Sequence, residues 1–90
     1  MTTYAVQRNL QGITMEQLAA AQQAAIDACN EASEHGTPVT YIRSNFYPAD
    51  QHCTCLFEAP TPEAVEQVNR AALLPFDKVE EVLDLPPARH

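Results

Sequence analysis

Between Gln51 and Glu58 the chain gathers one imidazole, two thiols and a carboxylate: His52, Cys53, Cys55 and Glu58. Three kinds of chemistry suit such a set: a metal site, a redox pair, or a buried strand that uses cysteine as a small apolar residue. Imidazole is the commonest metal ligand and titrates near neutral pH. Free cysteine is among the most buried residue types. Which reading holds depends on which way each side chain points.

The elements around this stretch follow from the sequence pattern. Residues 3–10 alternate Tyr4, Val6 and Leu10 against Thr3, Ala5 and Gln7, which predicts a strand. Thr14 with Gln17 three residues on has the form of a capping box and opens a helix rich in Ala, Gln and Glu. Gly36 closes that helix and Pro38 prevents its continuation. Its apolar face, Leu18, Ala21, Ala25, Ala28, Cys29 and Ala32, is mostly alanine, so the helix must lie close to whatever it covers. Residues 39–47 are β-branched and aromatic, Pro48-Ala49-Asp50 is a turn, and 51–59 returns as a second strand. Thr61-Pro62-Glu63 starts a second helix reaching about Leu73, and a last strand falls within 75–85. The order β-α-β-β-α-β predicts an α+β, ferredoxin-like domain over 1–85, with a C-terminal tail at 86–90. Its four-stranded antiparallel sheet would carry both helices on one face. The other face is left for solvent or for a second copy, which would make a dimeric α-β barrel.

A hairpin closed by 48–50 pairs Phe46 with Gln51, Asn45 with His52, Ser44 with Cys53 and Ile42 with Cys55. Alternation then separates two sets. Ile42, Ser44, Phe46, Cys53, Cys55 and Phe57 point under the helices. Tyr41, Arg43, Asn45, His52, Thr54, Leu56 and Glu58 point to the open face. A loop one residue longer would instead bring Arg43 and Tyr41 beside the cysteines. On the even register, imidazole and thiols lie on opposite sides of one strand and cannot share an ion without a bulge. C-x-C within a strand is also a poor metal clip, since tetrahedral zinc sites take their cysteines from tight C-x-x-C turns. Cys53 and Cys55 are therefore expected in the core, with Cys29. His52 and Glu58 are the candidate metal ligands. For a metal-free enzyme acting on a small organic molecule, His52 as acid/base with Arg43 and Tyr41 would line the cleft. His35 and His90 carry no such expectation.

The bulk composition closes off other classes. Ninety residues make one domain with a thin core. Twelve acidic residues against five scattered basic ones give a net charge of −7, which disfavours nucleic acid and anionic membranes. No apolar run approaches the ~20 residues of a membrane span, and the N-terminus lacks the pattern of a signal peptide. A cytoplasmic setting with three reduced cysteines follows as the expectation. Two glycines in ninety residues argue against a phosphate-cradling loop, and no organic cofactor is indicated.

Four stretches, "YAVQRNLQGIT", "MEQLAAAQQAAIDAC", "YIRSNF" and "CLFEAPTPEAVEQVNRAALLPFDKVEEV", are similar to a bacterial domain-of-unknown-function family. Many members of that family are called nickel-binding protein-like. The resemblance spans residues 4–82, with Cys55-Leu56-Phe57-Glu58-Ala59 its most recognisable run. It implies a ferredoxin-like fold, a homodimer, and a relation to nickel or another divalent transition metal. Arg8, Ser44, Cys55 and Ala59 coincide with the family pattern. Asn45 stands where the family often has an aromatic, and a longer loop brings in His52 and Cys53. The leading expectation is a small dimeric protein that binds a divalent metal. The metal-free barrel enzyme and a structural, partner-binding dimer are the alternatives.

Overall fold

The N-terminal alternation becomes β1, Thr2–Asn9, which buries Tyr4, Val6 and Arg8 on one side. The computed structural model describes residues 1–83 and Leu85. It then runs α1 (Met15–Glu34), β2 (Thr40–Tyr47), β3 (His52–Ala59), α2 (Pro62–Ala71) and β4 (Lys78–Val82). The expected order β-α-β-β-α-β therefore holds, and the tail expected at 86–90 lies outside the described residues. The strands form one antiparallel sheet in the order β2-β3-β1-β4. This is the ferredoxin-like α+β arrangement, in which each βαβ unit spans a strand from the other.

The helix ends are built from local chemistry. Thr14 and Gln17 make the reciprocal capping box, with Gln17 N–H donating to Thr14 Oγ1 at 3.1 Å and Thr14 N–H to Gln17 Oε1 at 3.0 Å. At the other end Gly36 takes φ +93°, and Thr37 N–H reaches back to the Ala32 carbonyl at 2.9 Å. That left-handed turn is the reason for a glycine there. Thr61 caps α2 by accepting from Ala64 N–H at 3.2 Å. β4 is shorter than expected at its start, where Pro75 has no N–H for a ladder and pairing begins as Asp77 N–H donates to the Gln7 carbonyl at 2.7 Å.

The core lies between the sheet and the helices. Val6, Phe57 and Val65 are sealed from solvent, with Ala25 and Cys29 of α1 above them. The alanine face of α1 lets the helix sit low, and the strands supply the bulk, as the sequence requires. Among the described residues two polar ones are buried with this core, Arg8 and Asn69.

The hairpin differs from its expected register. Gln51 joins the turn with φ +59° and donates its N–H to the Tyr47 carbonyl at 2.8 Å. Tyr47 therefore faces His52, Phe46 faces Cys53 and Ser44 faces Cys55. The slip is two residues, so the facing of residues 43–47 and 52–58 is unchanged. A bulge at Ile42 then breaks the alternation, and Tyr41 pairs with Phe57 instead of following Arg43 outward. Tyr41 turns under α1 and meets Phe57 edge-on, with ring centroids 5.6 Å apart. Ile42, expected in the core, instead lines the opposite side near Thr3 and Glu58.

Candidate functional site

The sheet face away from the helices carries rows of side chains fixed by the pairing. Arg43, Leu56, Ala5 and Glu80 make one row; Asn45, Thr54, Gln7 and Lys78 make the next; Tyr47, His52 and Asn9 close it at the hairpin end. Leu56 and Ala5 are buried by their neighbours, and Thr54 donates to Gln7 Oε1 at 2.9 Å. His52 is held from two sides. Its ring stacks on Tyr47 with centroids 3.9 Å apart, and Nδ1 donates to Asp50 Oδ1 at 2.5 Å. That hydrogen bond holds the Asp50 carboxyl below the usual carboxylate range. It also commits Nδ1, so Nε2 is the ring nitrogen left for a ligand, the arrangement by which carboxylates orient metal-binding histidines.

Glu58 lies on the same face but six residues along β3. At ~3.3 Å per residue that is about 20 Å, so one chain does not bring His52 and Glu58 to one ion. Among the described residues no group of three His, Cys, Asp or Glu converges on a point. Arg43 shares the open face with His52. Tyr41 does not: the bulge at Ile42 puts it among the core-facing residues, so the expected cleft of Tyr41, Arg43 and His52 is corrected to Arg43 and His52 alone.

The second constellation lies under α1, on the helix side. Cys53 and Cys55 are both buried, as expected, but they are more than filling, because polar groups surround them. Their sulfurs are 3.8 Å apart. Ser44 Oγ donates to Cys55 Sγ at 3.0 Å, so the Tyr41 hydroxyl, 2.5 Å from Ser44 Oγ, donates to Ser44. Gln22 Nε2 on exposed α1 donates to Tyr41 Oη at 3.0 Å. Three donors, Gln22, Tyr41 and Ser44, thus make a chain that ends on one sulfur. Arg8 enters from β1, opposite Cys53 in the ladder. Its Nη2 donates to Asn69 Oδ1 at 2.6 Å and its Nη1 to the Pro75 carbonyl at 3.3 Å. Asn69 is fixed in turn by donating to the Val65 carbonyl at 2.8 Å. The Nε of Arg8 is buried with no hydrogen-bond partner among the described residues.

These neighbours split the two thiols. The hydrogen bond from Cys53, the Arg8 charge and the Ser44 hydroxyl together outweigh burial and push the Cys55 thiol well below its ordinary value. Cys53, as donor to that sulfur and itself buried, is pushed up. Cys29 has burial alone and rises to about 11. The pair faces a cavity of about 220 Å³ lined by Arg8, Leu18, Ala25, Tyr41, Phe46 and Leu74 among others.

A ferredoxin-like sheet with one uncovered face, a carboxylate-oriented histidine at its hairpin end and a polar thiol pair beneath its first helix defines the class of this chain. It belongs to the SCO4226-like family, described as nickel responsive protein SCO4226-like, whose model matches residues 4–82. Its fold matches the crystal structure of SCO4226 from Streptomyces coelicolor A3(2) with a TM-score of 0.78 and 28% sequence identity, over 92% of this chain and 99% of that one. No curated protein matches it. Among the described residues no helix is long and apolar enough to cross a membrane.

Proposed function

We propose that this chain binds a divalent transition metal, nickel being the ion its family name points to, through His52 on the uncovered sheet face of a homodimer. The observation that carries the reading is the His52–Asp50 pair at 2.5 Å, which prepares Nε2 as a ligand. Imidazole and carboxylate are donors that nickel accepts. On the open sheet face His52 is the one oriented imidazole among the described residues, since His35, held through Nδ1 on the Glu31 carbonyl, sits at the end of α1, so a ligand set on that face needs a second copy. Glu58, on the same face, contributes only across such an interface. A partner over the open face also suits a ninety-residue chain, for which self-association is a usual source of added burial.

The ion supplies Lewis acidity and a fixed positive charge when bound. The chain's part is to hold the imidazole in one tautomer and to stack it on Tyr47. Titration calorimetry with Ni²⁺ on protein lacking any histidine tag tests the reading. Wild type is expected to bind saturably with about one His52 per half-site, His52→Ala to lose at least tenfold in affinity, and Asp50→Asn to lose about 10-fold or more through the orienting bond. Identical isotherms for wild type and His52→Ala would refute it. Light scattering on the same samples reads whether the metal-binding species is a dimer.

A further inference from the structure

The polar environment of the buried thiol pair has no use in that metal reading and stands independently of it. A cysteine that merely fills space needs neither a buried arginine nor a directed chain of hydroxyl donors. We infer that Cys55 is a peroxide-reactive thiol with Cys53 as its resolving partner, and that the cavity under α1 admits a small organic hydroperoxide to it.

Four observations converge on the sulfur of Cys55. The Ser44 hydroxyl donates to it at 3.0 Å, Cys53 Sγ lies 3.8 Å away, and the buried Arg8 guanidinium sits beside the pair. Arg8 lines the same cavity, and its Nε is a buried donor without a hydrogen-bond partner among the described residues. A buried donor left unsatisfied is unfavourable, and a hydroperoxide drawn in beside Arg8 brings acceptor oxygens to it. The cavity, about 220 Å³ and mainly apolar in its lining, falls below the ~300–1,000 Å³ of drug-sized sites and suits a molecule of a few carbons. Leu18, Ala25, Phe46 and Leu74 favour an alkyl group over bare hydrogen peroxide. The lowered thiol and the raised one agree with an attacking and a resolving partner, as sensor cysteines are paired.

The chemistry balances with the hydroperoxide as the sole oxidant. The Cys55 thiolate attacks the distal oxygen of ROOH; an S–O bond forms, the O–O bond breaks, and RO⁻ leaves, taking a proton from solvent to give ROH. Cys55 becomes a sulfenic acid, oxidised by two electrons, and the peroxide is reduced by two. The Cys53 sulfur then attacks Cys55 sulfur, the S–S bond forms, and hydroxide leaves with the Cys53 proton as water. The Cα atoms of i, i+2 residues on a strand are about 6.6 Å apart, at the long end of what a disulfide spans. The bond therefore forms under strain and is readily reversed by thiols.

The test treats metal-stripped, reduced protein with tert-butyl hydroperoxide at pH 6, where an ordinary thiol with its pKa near ~8.5 is almost wholly protonated. Intact-mass spectrometry and thiol titration are the readouts. Wild type is expected to lose about 2 Da and to fall from three free thiols to one, reversibly with dithiothreitol, about tenfold faster than free glutathione. Cys53→Ser should stop at a gain of about 16 Da that dimedone traps at Cys55. Cys55→Ser should show neither product. Ser44→Ala, which keeps Arg8 and its partner intact, should slow the reaction several-fold, and Arg8→Met more so. Hydrogen peroxide at equal concentration should react more slowly than the alkyl hydroperoxide. Reaction at Cys29 first, or a rate no greater than that of glutathione, would overturn the inference. Nickel binding by His52 would be untouched by either result.

Discussion

Arg8 links three parts of the molecule through one guanidinium: the Asn69 side chain of α2, the Pro75 carbonyl beyond it, and the thiol pair on β3. Replacing it with methionine fills similar space but leaves Asn69 Oδ1 buried without its donor. The expected cost is about 1–3 kcal/mol in urea unfolding. A second change, Asn69→Leu, is expected to return much of that loss, because the orphaned carbonyl goes with it. Equal additive losses in the double variant would mean that the pair is not coupled. Arg8 is legible in the sequence only as a break of phase. It shares the parity of Tyr4 and Val6, the core-facing residues of β1, where a cation stands out. Counted as one of five scattered basic residues, it carries no such signal. The inward facing of Cys53 and Cys55 was readable from alternation, whereas their polar surroundings were not. Those come from β1, β2 and α1, which only the tertiary fold brings together.

At the scale of elements, the hairpin shows where pattern reading succeeds and where it stops. Side-chain parity survived an error of two residues in register, because the period of a strand is two. The face of Tyr41 did not survive, since Thr40-Tyr41-Ile42-Arg43 has unbroken β propensity and no glycine to mark a bulge. What turns Tyr41 inward is the space beneath an alanine-faced helix, a property of α1 and not of β2. The C-terminus of α2 holds a second feature of this kind. Leu73 adopts φ +58° and is 88% exposed, in the left-handed position that glycine usually takes after a helix. Leu74 N–H closes the turn onto the Asn69 carbonyl at 3.0 Å, and Leu74 then lines the cavity at the thiols. Leu73→Gly is expected to stabilise the protein by up to ~1 kcal/mol, read from the urea midpoint, since it relieves the left-handed penalty while removing little burial. A loss of stability would show that the exposed leucine makes a contact elsewhere, such as in an assembled dimer.

Across the whole molecule the thiols set how stability changes with pH. Folding lowers Cys55, so between its folded value and the ordinary ~8.5 the native state binds fewer protons than the unfolded chain. Stability therefore rises with pH through that window. Above ~8.5 the sign reverses: the unfolded chain releases protons that the native state retains on Cys53, and on Cys29 up to about 11. Urea midpoints from pH 6 to 10 are expected to climb and then fall, and Cys55→Ser should abolish the rising limb and keep the falling one. A rising limb that persists in that variant would place its origin at another group. The donor chain has one more consequence at this scale. Every link from Gln22 through Tyr41 and Ser44 donates its hydrogen bond inward, so the order is set by the sulfur that accepts at its inner terminus. Neutralise the sulfur and the reason for that polarity disappears, leaving the outermost amide, at the water's edge, to reorient. The state of a buried sulfur is thereby carried to the protein's exterior through hydrogen bonds alone.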